Sequence, residues 1–301
     1  MREASKVRSA ECGMRNADRQ TTQYSADIDR TVKLGCLPYL NVKPLVYRFE
    51  HGELPEGWDL VYATPSTLAK MLASERIDAA PVSSFACLAN RDLGIVPGIC
   101  IASEGEVTSV LMLSKCEPQK VRSVAADTSS LSGRALLRIV LSENYGVHPE
   151  FVDCEPVIEK MLAEHDGALI IGNPAMLADK TGLHVLDLGD EWMKLTGLPA
   201  VFAVWAGPKQ SITPELVDQL TAAKEDGLQR IVEISKEQSL RLGLPQKLCE
   251  DYLARVMKYD LGPQQIESLR TFGQKARKHG LIDHEAVLNF PTLPPKGANL
   301  G

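Results

Sequence analysis

The segment from Val121 to Gly146 carries the clearest structural signal in the chain; it reads Val-Arg-Ser-Val-Ala-Ala-Asp-Thr-Ser-Ser-Leu-Ser-Gly-Arg-Ala-Leu-Leu-Arg-Ile-Val-Leu-Ser-Glu-Asn-Tyr-Gly. Residues 121–126, four of which are apolar, predict a strand, and the polar residues 127–130 predict a turn and a helix N-cap. Apolar residues then recur at helical spacing over 132–144, and Gly146 predicts the end of that helix. The segment is therefore a strand that leads directly into a helix.

The same unit recurs along the chain on both sides of this segment. Short apolar runs end at a Ser, Thr, Pro or Asn, and a helical pattern follows, which is typical of an α/β protein. The predicted strands of this kind cover residues 32–37, 60–63, 77–82, 150–154 and 168–171. The remainder, 214–289, has helical periodicity with breaks at Gly243 and Gly262.

Three longer β-type runs, at 95–102, 107–114 and 198–206, are placed where the chain can cross between two α/β lobes. We predict a two-lobed periplasmic-binding-protein-like (type II) fold with the ligand cleft between the lobes. The predicted division is residues 31–114 and 204–290 for lobe 1, residues 115–203 for lobe 2, a disordered extension at 1–30 and a tail at 291–301.

Composition excludes several classes of protein. Hydrophobic residues make up 44% and charged residues 24% of the 301 residues, as in ordinary globular proteins. A net charge of -6 and 33 scattered Lys and Arg residues argue against nucleic acid as the partner. No run approaches the roughly 18 apolar residues of a membrane helix. Seven cysteines without a Cys-x-x-Cys pair argue against a zinc site or a disulfide framework.

Residues 1–30 lack the apolar run that a secretory signal needs, and the cysteine usage is typical of a reducing compartment. We therefore predict a cytoplasmic protein without a membrane partner. Monomer and homodimer both stay open at this point.

Helix starts at the strand ends near Pro65, Ser83, Ser129 and Asn173 would face the cleft. Helix N-termini offer unpaired N–H groups and a positive dipole end, so they bind carboxylate or phosphate without Lys or Arg. The pattern predicts a small anionic ligand. Each Ser or Thr taken singly is better explained as an ordinary N-cap than as a ligand contact, and only their convergence at strand ends makes the two explanations comparable.

Seven segments, in consistent order between Val32 and Trp205, resemble the chorismate dehydratase family of the futalosine route to menaquinone. They are Gly35–Leu45 (Gly-Cys-Leu-Pro-Tyr-Leu-Asn-Val-Lys-Pro-Leu), Pro81–Ser84, Ile99–Ser103, Asp127–Ser130, Leu188–Trp192, Thr196–Pro199 and Val201–Trp205. The Tyr39-Leu40-Asn41-x-x-Pro44-Leu45 signature separates this family from the sister dihydroxynaphthoate synthases. One departure is Gly172-Asn173-Pro174-Ala175, where the family usually has Gly-Asp-x-Ala.

The resemblance implies a cofactor-free and metal-free lyase that removes water from chorismate to give 3-[(1-carboxyvinyl)oxy]benzoate. It makes Asn41 the first catalytic candidate, against the alternative that Asn41 only caps the next helix. The substrate-binding candidates are Ser83, Ser84, Ser109, Thr128, Ser129, Ser130 and Asn173. Tyr39, Trp192 and Trp205 are expected to pack in the core or the cleft wall. A solute-binding protein for a small carboxylate and the sister synthase are the alternatives.

No histidine falls near the predicted cleft, and Asp127 and Glu106 lie beside turns where capping explains them. We therefore expect an E1cB-type path in which the enolpyruvyl carboxylate of the substrate is the candidate proton acceptor. Asn173 and Asp are both good N-caps, so the departure from the family pattern predicts a shared role in ordering the turn.

Overall fold

A computed structural model describes residues 31–127 and 129–292. By its contacts the chain divides into residues 1–31 and residues 32–301, and the architecture below belongs to the second unit. The predicted extension at 1–30, Thr128, and residues 293–301 of the predicted tail lie outside the described residues.

The first sheet consists of a two-stranded part, β2-β1, and a four-stranded part, β3-β10-β4-β11, which an isolated bridge joins. It contains β1 (Val32–Cys36), β2 (Trp58–Tyr62), β3 (Ala80–Ser83), β4 (Leu93–Ser103), β10 (Ala200–Pro208) and β11 (Met257–Lys258). Strands β1 and β2 pair in parallel, and a parallel bridge between Leu34 and Ala79 joins them to the strands around β10. Strand β10 runs antiparallel to both β3 and β4.

The second sheet has the strand order β7-β6-β8-β5-β9. It contains β5 (Val110–Ser114), β6 (Ser123–Asp127), β7 (Glu150–Cys154), β8 (Gly167–Ile171) and β9 (His184–Asp187). Strand β6 is parallel to β7 and β8, whereas β5 is antiparallel to β8 and β9. The chain crosses from the first sheet to the second before β5 and returns to the first sheet before β10. Each of these two strands runs antiparallel to its neighbours in the sheet that it joins.

This exchange of strands differs from the predicted division of the chain at two places. Strand β5 pairs only within the second sheet, although the sequence assigned residues 107–114 to lobe 1. Strand β10 pairs with the first sheet from Ala200 onward, although residues up to 203 were assigned to lobe 2. Apolar runs identify the strands, but long-range pairing decides which sheet a crossing strand joins. The two-lobed α/β fold is confirmed, and the predicted residue bounds of its lobes stay a prediction.

The helices cover the faces of both sheets. They are α1 (Lys43–Glu50), α2 (Pro65–Ala73), α3 (Ser84–Ala89), α4 (Leu131–Tyr145), α5 (Ile158–Glu164), α6 (Asn173–Leu177), α7 (Leu188–Thr196), α8 (Pro214–Gln229), α9 (Ile231–Leu242), α10 (Gln246–Asp251) and α11 (Pro263–Lys278). A 3-10 turn, Leu40–Val42, precedes α1, and a π-helical turn, Tyr252–Val256, follows α10. Strand β9, helix α7 and the π-helical turn were not predicted from the sequence.

Helix α1 is held by a very close approach to α8. A Cβ atom on Gly227 would lie 1.8 Å from the carbonyl oxygen of Pro44, so no larger residue fits between these helices without a backbone shift. Trp205 and Trp192, each 1% exposed, are buried in the core as expected. Because α1 follows directly on the turn that carries Asn41, the packing of α1 against α8 fixes that end of the cleft.

Helix α11, in the C-terminal region, packs against β10 of the first sheet. It also hydrogen-bonds to α4 and α7, two helices that pack on the second sheet. Glu143 of α4 accepts hydrogen bonds from Lys275, Lys278 and His279 at 2.5, 3.1 and 2.8 Å. The indole N–H of Trp192 donates to Ser268 at 2.9 Å. Within the described residues, no helix combines the length and the apolar character needed to cross a membrane.

Candidate functional site

A cleft of about 910 Å³, counting the solvent at its mouth, lies between the two sheets. The carboxyl ends of β1, β3, β6 and β8 each lead into a turn or helix at this cleft, which is where α/β folds place their ligands. Its polar lining residues are Tyr39, Asn41, Ser83, Ser109, Ser129, Ser130 and Ser132. Apart from the Tyr39 phenol, none of the described lining residues has an ionisable side chain.

The N-terminus of α4 supplies the means of binding an anion in this uncharged cleft. Its first-turn residues Leu131, Ser132 and Gly133 line the cleft, and the N-cap Ser130 makes no side-chain hydrogen bond to that turn. The first N–H groups of a helix have no partner within the helix and carry the positive end of its dipole. A carboxylate can therefore bind here without a cationic side chain.

Asn41 lies in the 3-10 turn between β1 and α1 and lines the cleft. Its carbonyl oxygen Oδ1 is buried and has no hydrogen-bond partner among the described residues. Buried polar atoms are nearly always paired, so an unpaired oxygen at a cleft is a natural contact for a ligand hydroxyl.

Ser109 lies in the crossing from β4 to β5, and its Oγ is 2.8 Å from the hydroxyl oxygen of Tyr252. The preceding residue, Thr108, has a φ of 59°, which is strained for a β-branched residue. The carboxylate of Asp187 holds this bend, because it accepts from the backbone N–H groups of Val107 and Thr108 at 2.7 to 3.0 Å. The crossing therefore presents Ser109 in a fixed position.

Ser83 and Ser132 join the two sheets across the cleft, with their Oγ atoms 2.8 Å apart. Ser132 also donates to the carbonyl oxygen of Phe202 at 2.8 Å and accepts from the N–H of Phe85 at 3.2 Å. Ser83 caps α3 by accepting from the N–H of Ala86 at 3.4 Å. Both hydroxyls are thus engaged in holding the cleft walls together.

Ser129 lines the cleft at the end of β6, as Tyr39 does at the end of β1. Asp127 accepts from the N–H of Ser129 at 2.9 Å and from its hydroxyl at 2.8 Å, a local turn that accounts for this carboxylate without a catalytic role. Burial raises the pKa of Tyr39, so its phenol stays protonated near neutral pH. Thr128, the neighbouring candidate, lies outside the described residues.

Two candidates do not line the cleft. The hydroxyl oxygen of Ser84 is fully buried in the first turn of α3 and has no hydrogen-bond partner in the described part of the chain. Asn173 is the first residue of α6, and the N-cap is Gly172, with φ 65° and ψ -146°. The expectation that Asn173 caps α6 was therefore wrong, because a conformation with positive φ selects glycine for the cap position.

The six histidines all lie away from the lining residues of the cleft, and His279 is paired with Glu143. Within 31–127 and 129–292, no group of three or more His, Cys, Asp or Glu side chains could hold a metal ion. Six cysteines of the same ranges are free. Among the described residues that line the cleft there is no histidine or carboxylate that could act as a general base, and the absence of a cofactor requirement stays a prediction.

Sequence reasoning missed three residues of the site. Ser132 was assigned only as the start of a helix, and Gly172 only as part of a turn. Tyr252 lies 143 residues from Ser109, its hydrogen-bond partner, in a region with helical periodicity. A glycine before an Asn-Pro helix start was a usable signal for Gly172, whereas Tyr252 carries no local signal at all.

Residues 32–278 match the family model described as menaquinone biosynthesis. A chorismate dehydratase of Thermus thermophilus is 32% identical over 264 residues, covering 81% of this chain and 95% of that protein. Among solved structures, a protein of Archaeoglobus fulgidus superposes with a TM-score of 0.69 at 17% identity, covering 83% of this chain and 98% of its own.

The periplasmic aliphatic sulphonate binding protein of Escherichia coli superposes with a TM-score of 0.59 at 16% identity, covering 85% of this chain and 89% of its own. These two likenesses establish the periplasmic-binding-protein-like fold. The family match and the 32% identity over nearly the whole length of the Thermus protein establish more than the fold: this chain belongs to the menaquinone biosynthesis family.

Proposed function

We propose that this chain is a chorismate dehydratase, which removes water from chorismate to give 3-[(1-carboxyvinyl)oxy]benzoate. The observation that carries the proposal is the 32% identity to a chorismate dehydratase that extends over 95% of that protein. The cleft supports it, because the described lining is uncharged and combines hydroxyls, an unpaired amide oxygen and a helix N-terminus. We place the reaction in the cytoplasm.

The chemistry of this dehydration asks little of a protein acid or base. The proton that leaves is on the ring carbon that bears the enolpyruvyl ether, and it is vinylogous to the ring carboxylate. Its removal gives a carbanion that is delocalised toward that carboxylate, and hydroxide then leaves the adjacent carbon. The aromatic product makes the overall reaction strongly downhill, so the main demands on the protein are orientation and stabilisation of negative charge.

The geometry of the cleft supplies both. In this proposal the N–H groups at the start of α4 and the hydroxyl of Ser130 hold the ring carboxylate, where charge develops. Oδ1 of Asn41 accepts a hydrogen bond from the ring hydroxyl and fixes the direction of the bond that breaks. Preorganised donors aimed at developing charge are commonly the largest catalytic contribution, with about 10²- to 10³-fold for a single donor.

The described lining has no histidine or carboxylate in reach of the departing proton. The enolpyruvyl carboxylate of chorismate lies next to that proton in a suitable conformer, so we assign the role of proton acceptor to the substrate itself. The protein then contributes by selecting that conformer. The apolar walls, which include Leu37, Ile101 and Phe202, exclude water from the reacting carbons.

Solute binding without chemistry is the second candidate, because the aliphatic sulphonate binding protein has the same fold and its name specifies a small anion. The two functions are separated by incubating the purified chain with chorismate and following the mixture by mass spectrometry. Loss of one water from chorismate supports the lyase. Binding of chorismate measured by calorimetry, with the compound recovered unchanged, supports the binding protein instead.

A further inference from the structure

Asp187 is the last residue of β9 and the N-cap of α7. It directly precedes Leu188–Trp192, a fully described segment of the family resemblance that contributes no residue to the lining of the cleft. The Asp187 carboxylate nevertheless accepts hydrogen bonds from four backbone N–H groups, two of them in α7 and two in the crossing from β4 to β5. That crossing carries Ser109, which does line the cleft.

The two carboxylate oxygens of Asp187 have different tasks. Oδ1 accepts from the N–H groups of Gly189 and Asp190 at 3.0 and 3.2 Å, which is the ordinary contact of an N-cap with the first turn of its helix. Oδ2 accepts from the N–H of Thr108 at 2.7 Å, and the N–H of Val107 lies 2.9 Å from Oδ1 and 3.0 Å from Oδ2. Capping therefore accounts for Oδ1, but it does not account for Oδ2.

Thr108 has a backbone φ of 59°. A β-branched residue is strained at positive φ, and such a conformation persists only where the surrounding structure holds it. Oδ2 of Asp187 holds the N–H of Thr108. The first turn of α7 also packs so closely on the crossing that a Cβ atom on Gly189 would lie 2.3 Å from the carbonyl oxygen of Gly105. The start of α7 therefore keeps a strained bend in place.

The bend at Thr108 fixes the next residue, Ser109, on two sides. Oγ of Ser109 lies 2.8 Å from the hydroxyl oxygen of Tyr252, and its backbone carbonyl oxygen accepts from the N–H of Gly172 at 2.7 Å. Ser109 is 1% exposed and lines the cleft together with Gly172. A return of Thr108 to negative φ would turn the chain at Ser109 and break these contacts.

We propose that Asp187 is a positioning residue for the dehydration: through Oδ2 it holds the strained bend at Thr108, and the bend places the Ser109 hydroxyl in the cleft. This proposal rests on the proposed function for the identity of the reaction. Asp187 itself lies outside the described lining of the cleft, so it acts through Ser109 and does not touch the substrate. A displacement of about 1 Å at a group that contacts the substrate can cost about a hundredfold in rate, so a carboxylate behind the cleft wall can control turnover.

The first variant is Asp187→Ser. Serine is among the best N-cap residues, so this variant keeps an oxygen for the first turn of α7 while it removes the oxygen that holds Thr108. We expect Asp187→Ser to lower kcat/KM on chorismate by about tenfold to a hundredfold, as for a misplaced binding group. Should thermal unfolding show that it does not fold, Asp187→Asn, which has one acceptor oxygen in place of two, is tested instead with the same expected outcomes.

Asp166→Ser is the matched control. The carboxylate of Asp166 also accepts from two backbone N–H groups of the second sheet region, those of Arg122 at 2.9 Å and Ser123 at 3.3 Å. Asp166 precedes β8, at the end of that strand that does not lead into the cleft, and it is not among the described lining residues. We expect Asp166→Ser to keep the native kcat/KM.

Rescue by Thr108→Gly separates the held bend from a defect in the cap of α7. Glycine adopts positive φ without strain, so the bend can persist without the carboxylate, and the double variant Asp187→Ser/Thr108→Gly should recover at least about fivefold of the lost kcat/KM. A helix that has lost its cap would gain nothing from a glycine at position 108. The absence of any recovery would therefore overturn the proposal.

A readout that does not depend on turnover is the exchange of the Gly172 amide proton with solvent, followed by NMR in an ¹⁵N-labelled chain. This N–H reports the position of Ser109, because the carbonyl oxygen of Ser109 is its acceptor. Asp187→Ser should speed this exchange and the added Thr108→Gly should slow it again, whereas Asp166→Ser should leave it unchanged. Faster exchange that is confined to the first turn of α7 would make Asp187 only a cap and overturn the proposal.

The same measurements distinguish this proposal from the proposed function. A native chain that leaves chorismate unchanged, but in which Asp187→Ser speeds the exchange of Gly172, would refute the dehydratase assignment and keep the placement of Ser109 by Asp187. A native chain that dehydrates chorismate, together with an Asp187→Ser variant of native kcat/KM, would refute the positioning role and keep the assignment.

Discussion

Replacing Asn41 by Asp puts a carboxylate where the cleft now has a neutral amide of almost the same shape. The described lining offers no cation to pair with it, and the proposed substrate is itself a dianion. Burial and a nearby anion both disfavour the charged form of a carboxyl group, so the pKa of the new side chain should be raised above its ordinary value of about 3.9. Asn41→Asp therefore places a carboxyl group in the cleft whose charge can be changed by pH.

The expected loss can be estimated from charge repulsion. Two unit charges about 4 Å apart at an effective dielectric constant of about 20 repel by about 4 kcal/mol. Since about 1.4 kcal/mol corresponds to a factor of ten, kcat/KM of Asn41→Asp should fall by about a thousandfold near pH 8. As the pH is lowered through the raised pKa, the side chain becomes neutral and much of this loss should be recovered.

The assay is kcat/KM on chorismate between about pH 5.5 and pH 8. The native chain and Asn41→Ala serve as controls, because neither has an ionisable group at this position. We expect the native profile to be nearly flat, since no described carboxylate or histidine lines the cleft. Asn41→Ala should be low at every pH and should keep its melting temperature within a few degrees, because it removes a buried oxygen that has no partner.

Two outcomes would refute this reasoning. Near-native activity of Asn41→Asp at about pH 8 would mean that position 41 does not face an anionic substrate. A low activity that stays constant with pH would mean that the loss comes from altered packing and not from charge. In either case Asn41 would be only a structural residue of the turn before α1.

Three further predictions concern the rest of the molecule. Asn173→Asp should change turnover only modestly, because Asn173 does not line the cleft; an inactive native chain that this substitution rescues many-fold would place a catalytic base there. Dialysis against EDTA should leave activity intact, since the described residues hold no metal-binding cluster, and a loss restored by one particular metal would contradict this. Burial raises the pKa of Glu143, but hydrogen bonds from Lys275, His279 and Lys278 outweigh it and lower that pKa to about 2. The native chain should therefore melt above Glu143→Gln at neutral pH, and the difference, measured by thermal unfolding, should shrink as the pH falls from about 4.5 toward 2.

The sequence predicts most strands and helices of this fold because each is a local pattern. The strand at 121–126 and the helix after it lie within a few residues of β6 and α4, and Glu150–Cys154 is β7 itself. The sheet that a strand joins is not local. Strand β5 looks like a continuation of the first lobe, yet its partners are β8 and β9, more than fifty residues further along the chain.

In the candidate site, too, some residues could be predicted from local sequence patterns and others could not. Asn41, Ser83, Ser109, Ser129 and Ser130 were predicted and do line one cleft, although their roles in binding stay proposals. The contact between Tyr252 and Ser109 could not be predicted. Tyr252 begins a π-helical turn, and nothing in its neighbouring residues specifies that turn.

The most direct test of the proposed activity is to incubate the purified chain with chorismate and to follow the ring protons by NMR. We predict that the signals of the cyclohexadiene disappear and that the aromatic signals of 3-[(1-carboxyvinyl)oxy]benzoate replace them at the same rate, with the enolpyruvyl group intact. The same solution with Asn41→Ala should show the change at least about a hundredfold more slowly. Chorismate that persists unchanged with the native chain, or an aromatic product that has lost the enolpyruvyl group, would contradict the assignment.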